Sequence, residues 1–561
     1  MIKSKQISVI TLLIILVVPI AILNQGIDFT DTGWMLTYFQ NIFSHPESVT
    51  FWFHLYLTNI IGGIWNLFFG NFGLISFKIA GVIIFWLSSY IVYLILKDIM
   101  HKNYILVGIA LGLSFNFYEK ITIIHYNNLS FLFLLITILF IKKALVKDLR
   151  LLFIAGFFIG LNTFIRIPNI LSVLFIFPIL YYLKNQNKET NIVKSFFISF
   201  AGVITGILLV FGIMIILGHF NFFIQSVIDL FGVTGSNDSN YDKYKMIKKV
   251  FKDNFGASFL GGCAIFTFYL LSLLYSKIHS KIIIYKIVFY ILFLILSISS
   301  FYILRGIKTY IFIYFMIGII YISIIVYFFK HIKTSYYNNT IFTLILLGIF
   351  TLSNGSDTGM MVGSFGIISG FPVFLWVCSQ FKLKKSINIY LINLSIVYFT
   401  IISIPTILIG SYRDASNRLL LNTQINNSLL KYVKTTKSRA ESISELLSKL
   451  DSITIENNTM LCFESIGMVH FITRTQPYLS NPWPLMEMPE DFKKLLEHRE
   501  KSFLPTVVMA KRQTRSKSWP DSGIVSQKKT DIEMREIMYD FLTRNNYTEI
   551  WSNNMFVILQ P

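Results

Sequence analysis

From residue 7 to residue 410 the chain repeats one pattern: a long apolar run, then a short polar break. The runs have the length of a bilayer-spanning helix, about 20 residues. Their centres lie near residues 15, 86, 111, 136, 158, 176, 207, 266, 293, 319, 346, 370 and 398. The pattern predicts an α-helical polytopic membrane protein with about thirteen transmembrane helices. Two places depart from it. Arg166-Ile167-Pro168 interrupts a long apolar stretch, so the helices on either side should meet at a tight turn. Segment 51–69 is apolar but carries His54, Asn59, Gly62, Gly63 and Asn66, which suits a helix lying in the membrane interface better than a span. Were it to span, the parity of everything after it would reverse.

The polar breaks come in two kinds. Lysine tracts recur at alternate helix ends: Lys97/Lys102, Lys142/Lys143/Lys147/Arg150, Lys184/Lys188/Lys194, Lys277/Lys281/Lys286, Lys330/Lys333 and Lys382/Lys384/Lys385. The intervening breaks hold acids, Asn, Gly and Ser, as in Asp28 to Glu47, Glu119 to Asn128, Asp229 to Asp253 and Ser353 to Asp357. The positive-inside rule puts the lysine tracts in the cytoplasm. Lys3 and Lys5 precede the first run, and Asn24-Gln25-Gly26-Ile27-Asp28 after it is a poor cleavage site, so the first helix is read as uncleaved and entering from the cytoplasm. An odd number of spans then sends the chain from residue 411 onward to the outer side.

Beyond Ser411 the pattern changes. Residues 411–561 hold most of the Glu and Arg, with helical patterns near 425–449, 490–500 and 531–544 and strand-like runs at 459–464, 505–510 and 555–559. The mixture predicts a small α/β extracytoplasmic domain following a membrane module of residues 1–410. It contains no Gly-rich phosphate loop and no nucleophile elbow.

Composition agrees. The 561 residues are 54% hydrophobic and 14% charged, against about 25% charged in soluble domains. The net charge of +20 is spread over the lysine tracts and forms no basic face with stacking aromatics, which argues against nucleic acid as a partner. Cys263, Cys378 and Cys462 resemble neither a disulfide framework nor a metal site.

The first outer loop, residues 25–77, carries the densest chemistry. Asp28 and Asp31 follow the first helix directly, and Trp34, Tyr38 and Ile42 then share one helical stripe beside Met35, Phe39 and Phe43. Such an amphipathic helix at the interface would hold both acids above the bundle. An acid there can take a proton from an acceptor hydroxyl or help hold a divalent cation. The plainer reading, that Asp31 caps the helix, accounts for one acid of the pair.

This order of parts resembles the GT-C membrane glycosyltransferases, especially the protein O-mannosyltransferase and lipid A aminoarabinose transferase branch. Asp31-Thr32-Gly33-Trp34 stands where that family has Asp-Glu and an aromatic. Phe68-Phe69-Gly70 to Phe77-Lys78-Ile79-Ala80-Gly81 is similar to its approach to the second helix, and Ala155-Gly156 to Gly160-Leu161 and Arg166 is similar to a further family stretch. The departures are Thr32 at the second acid and His45-Pro46-Glu47 in place of His-Pro-Pro. The resemblance implies inverting transfer of a sugar from a polyprenyl-phosphate donor to a glycan, lipid or protein acceptor at the outer face. Asp31 then stands as acid/base candidate and Asp28 as the second.

A lipid phosphate needs cations at that face. Lys120, Arg166, Arg305 and Lys308 lie near outer helix ends; Arg grips phosphate oxygens in pairs and Lys as a point charge. Their plain alternative is snorkelling to headgroups. His125 is a further contact candidate whose plain reading is a solvated side chain. Asn354 and Asp357, in Ser353 to Gly359, sit on a polar loop tolerated at membrane depth only where it lines a cavity or packs on protein. The Pro- and aromatic-rich stretch Gln476 to Pro484 reads first as a packed loop and second as a gate on acceptor access. The competing class is a flippase or transporter of lipid-linked sugars, which internal repeats and midplane charges would signal; a polymerase or ligase usually places its large outer loop between helices. Short cytoplasmic loops suggest a bacterial inner membrane.

Overall fold

The computed structural model describes the chain except residues 1–3, 118–119, 187–189, 236–242, 280–282, 308, 356–357 and 382–383. The apolar runs form helices α1 (Ser4–Ala21), α4 (Leu74–Leu96), α5 (Lys102–Asn116), α6 (Tyr126–Val146), α7 (Leu151–Ile165), α8 (Ile176–Asn185), α9 (Thr190–Ile216), α11 (Lys243–Ile278), α12 (Ile283–Ile307), α13 (Thr309–Lys330), α14 (Tyr336–Ser353), α16 (Ile367–Ser379) and α17 (Lys385–Ile409). Between them lie α2 (Asp31–Asn41), α3 (Tyr56–Phe69), α10 (Phe220–Gly235) and the single turn α15 (Met360–Gly363). Every expected centre falls within a helical segment. Among the described residues nine helical segments are long and apolar enough to cross a membrane, fewer than the expected thirteen. The expected spans at 15, 111, 158 and 346 fall on α1, α5, α7 and α14, of 18, 15, 15 and 18 residues. Fifteen residues of helix rise about 22 Å, short of a hydrocarbon core of about 30 Å, so α5 and α7 rely on neighbouring helices and flanking turns. Buried fractions separate centre from rim: Met360–Ser379 is 89% buried and Ile283–Leu304 only 22%.

Segment 51–69 forms a 3-10 turn, Phe53–Leu55, and the 14-residue α3. That helix packs against α2 and α7. Unlike the expectation, α10 adds a second short apolar helix against the Phe53–Leu55 turn. The expected tight turn after α7 is present: Arg166 is extended and Ile167–Phe175 continues as 3-10 helix into α8.

Helices α7 and α9 meet through reciprocal glycines. A Cβ on Gly156 would lie 2.0 Å from Ser199 O, and one on Gly206 2.4 Å from Phe157 O. Gly156/Gly160 and Gly202/Gly206 are each four apart, the small-xxx-small pattern that brings membrane helices into backbone contact.

Beyond α17 come α18 (Lys437–Leu450), α19 (Met468–Thr473), α20 (Pro489–Arg499) and α21 (Lys529–Arg544), with strands β1 (Thr423–Gln424), β2 (Lys434–Thr435), β3 (Thr459–Phe463), β4 (Gln476–Pro477), β5 (Thr506–Ala510), β6 (Thr548–Ser552) and β7 (Phe556–Gln560). The helical pattern read at 425–449 starts later, at Lys437, because residues 423–435 are drawn into β1, β2 and contacts with the first loop. β1 and β2 pair antiparallel, and the larger sheet runs β4-β3-β5-β7-β6, parallel among β4, β3 and β5 and antiparallel beyond. Strand alternation divides its side chains between two cores. Leu461, Phe463, Val507 and Met509 pack with Phe492 of α20 and Met534 and Phe541 of α21. Met460, Cys462, Val508 and Phe556 face the other way, onto α18 and onto Phe29, Trp34 and Met35 of the first loop. Backbone bonds join loop and tail: Gly26 N–H to Lys434 O at 2.9 Å, Leu74 N–H to Leu429 O at 2.8 Å and Met468 N–H to Phe29 O at 3.1 Å.

A buried ion pair fixes the same seam. Asp414 and Arg439 have side chains 0% and 1% exposed and are in direct contact. Asp414 also accepts from Ile27 N–H at 2.7 Å and from the Thr435 hydroxyl.

Candidate active site

The loop after α1 gives its two acids different work. Asp28 accepts the backbone N–H groups of Thr30 at 3.0 Å and Thr32 at 2.6 Å, and so satisfies donors at the start of α2. The cap expected of Asp31 is thus supplied by Asp28. Asp31, the first residue of α2, turns instead toward the chain leaving α17. Arg413 Nη2 lies 3.0 Å from its Oδ2, and the Tyr412 hydroxyl donates to the same oxygen. Arg413 adopts a left-handed φ of 49°, a conformation rare outside glycine and often found where geometry serves a site.

Burial pushes the Asp31 carboxyl up, but Arg413, the Tyr412 hydrogen bond, Arg515 and His125 together hold it below the usual carboxylate range. Asp28 has no such direct ion pair: burial raises it to about 6, against the pull of Arg413 and with the push of Asp31. The pair is therefore split, Asp31 held below the usual carboxylate range and Asp28 above it.

His125 is buried and caps α6, its Nδ1 accepting Asn127 N–H at 3.1 Å. Burial drives its pKa down to about 3 although Asp31 pulls it up, with Lys120 and Arg166 adding to the depression. The structure thus gathers Asp28, Asp31, His125, Lys120 and Arg166 at one end of the bundle.

A small cleft, with a cavity volume of about 30 Å³, lies against Asp28 and Thr32 and is lined by Lys78, Lys120, Tyr412 and Arg418. Three basic side chains face one carboxylate there, so the cleft suits an anion. Lys78 Nζ donates to Gln25 O at 2.7 Å and Gly26 O at 2.6 Å. Lys120 Nζ donates to Met361 O at 2.8 Å. Arg418 Nη2 donates to Phe117 O and Gly410 O, while its buried Nε has no hydrogen-bond partner among the described residues.

Arg166 and Asn354 are brought together for another purpose. Arg166 Nη1 donates to Leu352 O at 2.9 Å and Nη2 to Asn354 O, so the guanidinium covers carbonyls at the C-terminal end of α14. Asn354 Nδ2 returns to Phe350 O at 2.6 Å. Asp357, Lys308 and the side chain of Arg305 lie outside the described residues. Among the described residues no three His, Cys, Asp or Glu side chains converge as metal ligands; the two acids are compensated by donors instead.

Lys78, Tyr412, Arg413, Arg418 and Arg515 were not singled out from the sequence. Arg413 and Arg418 did carry a signal: they are cations following the last apolar run, on the side away from the lysine tracts.

Residues 49–216 match the family model described as dolichyl-phosphate-mannose-protein mannosyltransferase. The protein is a membrane glycosyltransferase. The match bears out the resemblance to the GT-C superfamily. Over its length this glycosyltransferase supplies α3 to α9, with Lys78, Lys120, His125 and Arg166, while Asp28 and Asp31 precede the matched stretch. No match to a curated protein was found.

Proposed function

We propose that the glycosyltransferase moves a sugar from a polyprenyl-phosphate donor to an acceptor hydroxyl at the end of the bundle that carries the C-terminal domain. The observation that supports this reading most is a compensated carboxylate, Asp31, joined through the Tyr412 hydroxyl to a cleft that Tyr412 lines together with Asp28, Lys78, Lys120 and Arg418. The acceptor O–H hydrogen-bonds to Asp31, and its oxygen attacks the anomeric carbon from the face opposite the phosphate. The carbon–oxygen bond to phosphate breaks, the configuration inverts, and the acceptor proton passes to Asp31. Lys78, Lys120 and Arg418 stabilise the charge that gathers on the departing phosphate. A low carboxylate pKa suits a late proton transfer, because the hydroxyl becomes strongly acidic only as its bond to the sugar forms. In this reading the reacting end faces outward, α1 begins in the cytoplasm, and the membrane is a bacterial inner membrane.

The test is transfer from a labelled polyprenyl-phosphate sugar in membranes containing wild type or Asp31→Asn. The expected result is transfer by wild type and a loss of about 10²–10⁴-fold in the variant. Equal transfer by both would remove Asp31 from the mechanism. Absence of transfer by wild type to any acceptor, with movement of the donor across the bilayer, would favour a flippase.

A further inference from the structure

One turn beyond Asp31 the first loop and the C-terminal domain enclose a second polar cluster. Trp34, on the same face of α2 as Asp31, stacks on Trp52 at 4.9 Å, and Tyr38 OH accepts the backbone N–H of Trp52 at 2.7 Å. From the other side, the Phe51 backbone N–H donates to Ser480 O, and Asn481 Oδ1 accepts the backbone N–H of Trp483 at 3.0 Å. Glu487 lies in this seam, 7% exposed, within electrostatic reach of Tyr38 and beside Asn481.

Glu487 and Asn481 face one another with their side chains, and beyond that pairing the buried Glu487 carboxyl and the indole nitrogens of Trp52 and Trp483 have no hydrogen-bond partner among the described residues. An unpartnered buried polar atom forfeits its hydration without compensation, so a native fold rarely leaves several in one place. The set holds donors as well as acceptors, which is what a ligand with hydroxyl groups satisfies. Burial pushes the Glu487 carboxyl up to about 8, with Asp491 and Asp229 adding to the shift against the pull of Asn481.

We propose that Glu487, Asn481, Trp483 and Trp52 form a saccharide-binding subsite that holds the acceptor sugar beside Asp31. The proposal rests on the transfer reaction above and names its acceptor class. A sugar ring offers an apolar face for an indole and equatorial hydroxyls for a carboxyl and an amide. The link to Asp31 is short: the Arg413 guanidinium is 6.0 Å from the Trp483 ring and 3.0 Å from Asp31 Oδ2. Arg515 covers the same ring at 4.8 Å. Trp52, Arg413 and Arg515 are only half-buried, so the cluster reaches the surface.

The experiment titrates purified full-length protein in detergent with methyl α-mannoside, methyl β-glucoside, methyl β-galactoside and N-acetylglucosamine, read by tryptophan fluorescence, for wild type and Glu487→Leu. Leucine fills the space of Glu487 without its carboxyl oxygens, so a merely structural role predicts a lower melting temperature and unchanged glycoside response. The subsite predicts a melting temperature equal or higher and glycoside affinity at least tenfold weaker. Trp483→Phe, which keeps an aromatic plane but removes the indole N–H, should weaken the same titration. No saturable response to any of the four in wild type, or equal affinity in Glu487→Leu, would overturn the subsite. Binding is read without turnover, so a wild type that binds glycosides but never cleaves the donor would overturn the reaction and not the subsite.

Discussion

Asp28 and Asp31 differ by three positions and by almost everything else. Asp28 spends its oxygens on the Thr30 and Thr32 backbone, so Asp28→Asn should cost stability as well as rate. Asp31 spends Oδ2 on Arg413 and Tyr412. Arg413 is the chief influence opposing burial at Asp31, which fixes the sign of a pH experiment. With Arg413→Gln, burial prevails and the Asp31 pKa rises. A base that must be ionised is then lost at higher pH, so the acid limb of the kcat/KM profile should move to higher pH. An acid limb that stays in place would show that Asp31 is not the titrating base. Tyr412→Phe removes one donor to the same oxygen, and a smaller shift in the same direction is expected. The acids were legible in the sequence because they follow the first apolar run at once. Tyr412 and Arg413 were not, since nothing local ties them to a helix nearly four hundred residues earlier.

Glycine decides two contacts between elements. At Gly33 a Cβ would meet the backbone nitrogen of Met468 at 2.2 Å, because α2 lies directly against α19. Gly33→Ala should destabilise by about 1–3 kcal/mol, measured by thermal unfolding of the purified protein, and should lower activity by lifting Asp31 off its partners. A bulky side chain at Gly160, where Val203 O would be 2.4 Å from a Cβ, should separate α7 from α9 and cut the yield of folded protein; an unchanged yield would show that the pair is not held by close approach. The Asp414–Arg439 pair makes the third prediction at this scale. Removing one member of a buried pair typically costs about 3–5 kcal/mol, so Asp414→Ala should loosen the tail from the first loop and raise protease cleavage within residues 423–435. The glycine spacing in α7 was visible in the sequence, as were β3, β5, β7, α20 and α21, each with its own periodicity. α19, β4 and β6 were not, being short pieces set by their neighbours.

For the whole molecule the lysine tracts gave the expected parity. Lys142 pairs with Asp98 at 2.7 Å and Lys330 reaches Gln380 O, contacts among the lysine-bearing ends, whereas Asp31, His125, Arg166 and Arg413 meet at the other. A cysteine at Lys437, a side chain 80% exposed, should label from the outer side, and one at Lys102 only after permeabilisation; the reverse would invert the proposed orientation.

The two-faced sheet also constrains the order of events during synthesis. Met460, Cys462, Val508 and Phe556 need the first loop to cover them, while Leu461, Phe463 and Val507 are covered by helices of the tail itself. The first loop leaves the ribosome well before these strands and waits with Phe29, Trp34 and Met35 uncovered until β3, β5 and β7 follow. Asp31 therefore acquires Tyr412, Arg413 and Arg515 only after the whole helical bundle has been made. A truncated product would be left with an apolar loop and an unassembled reaction centre, and would be a substrate for proteolysis before it was ever a catalyst.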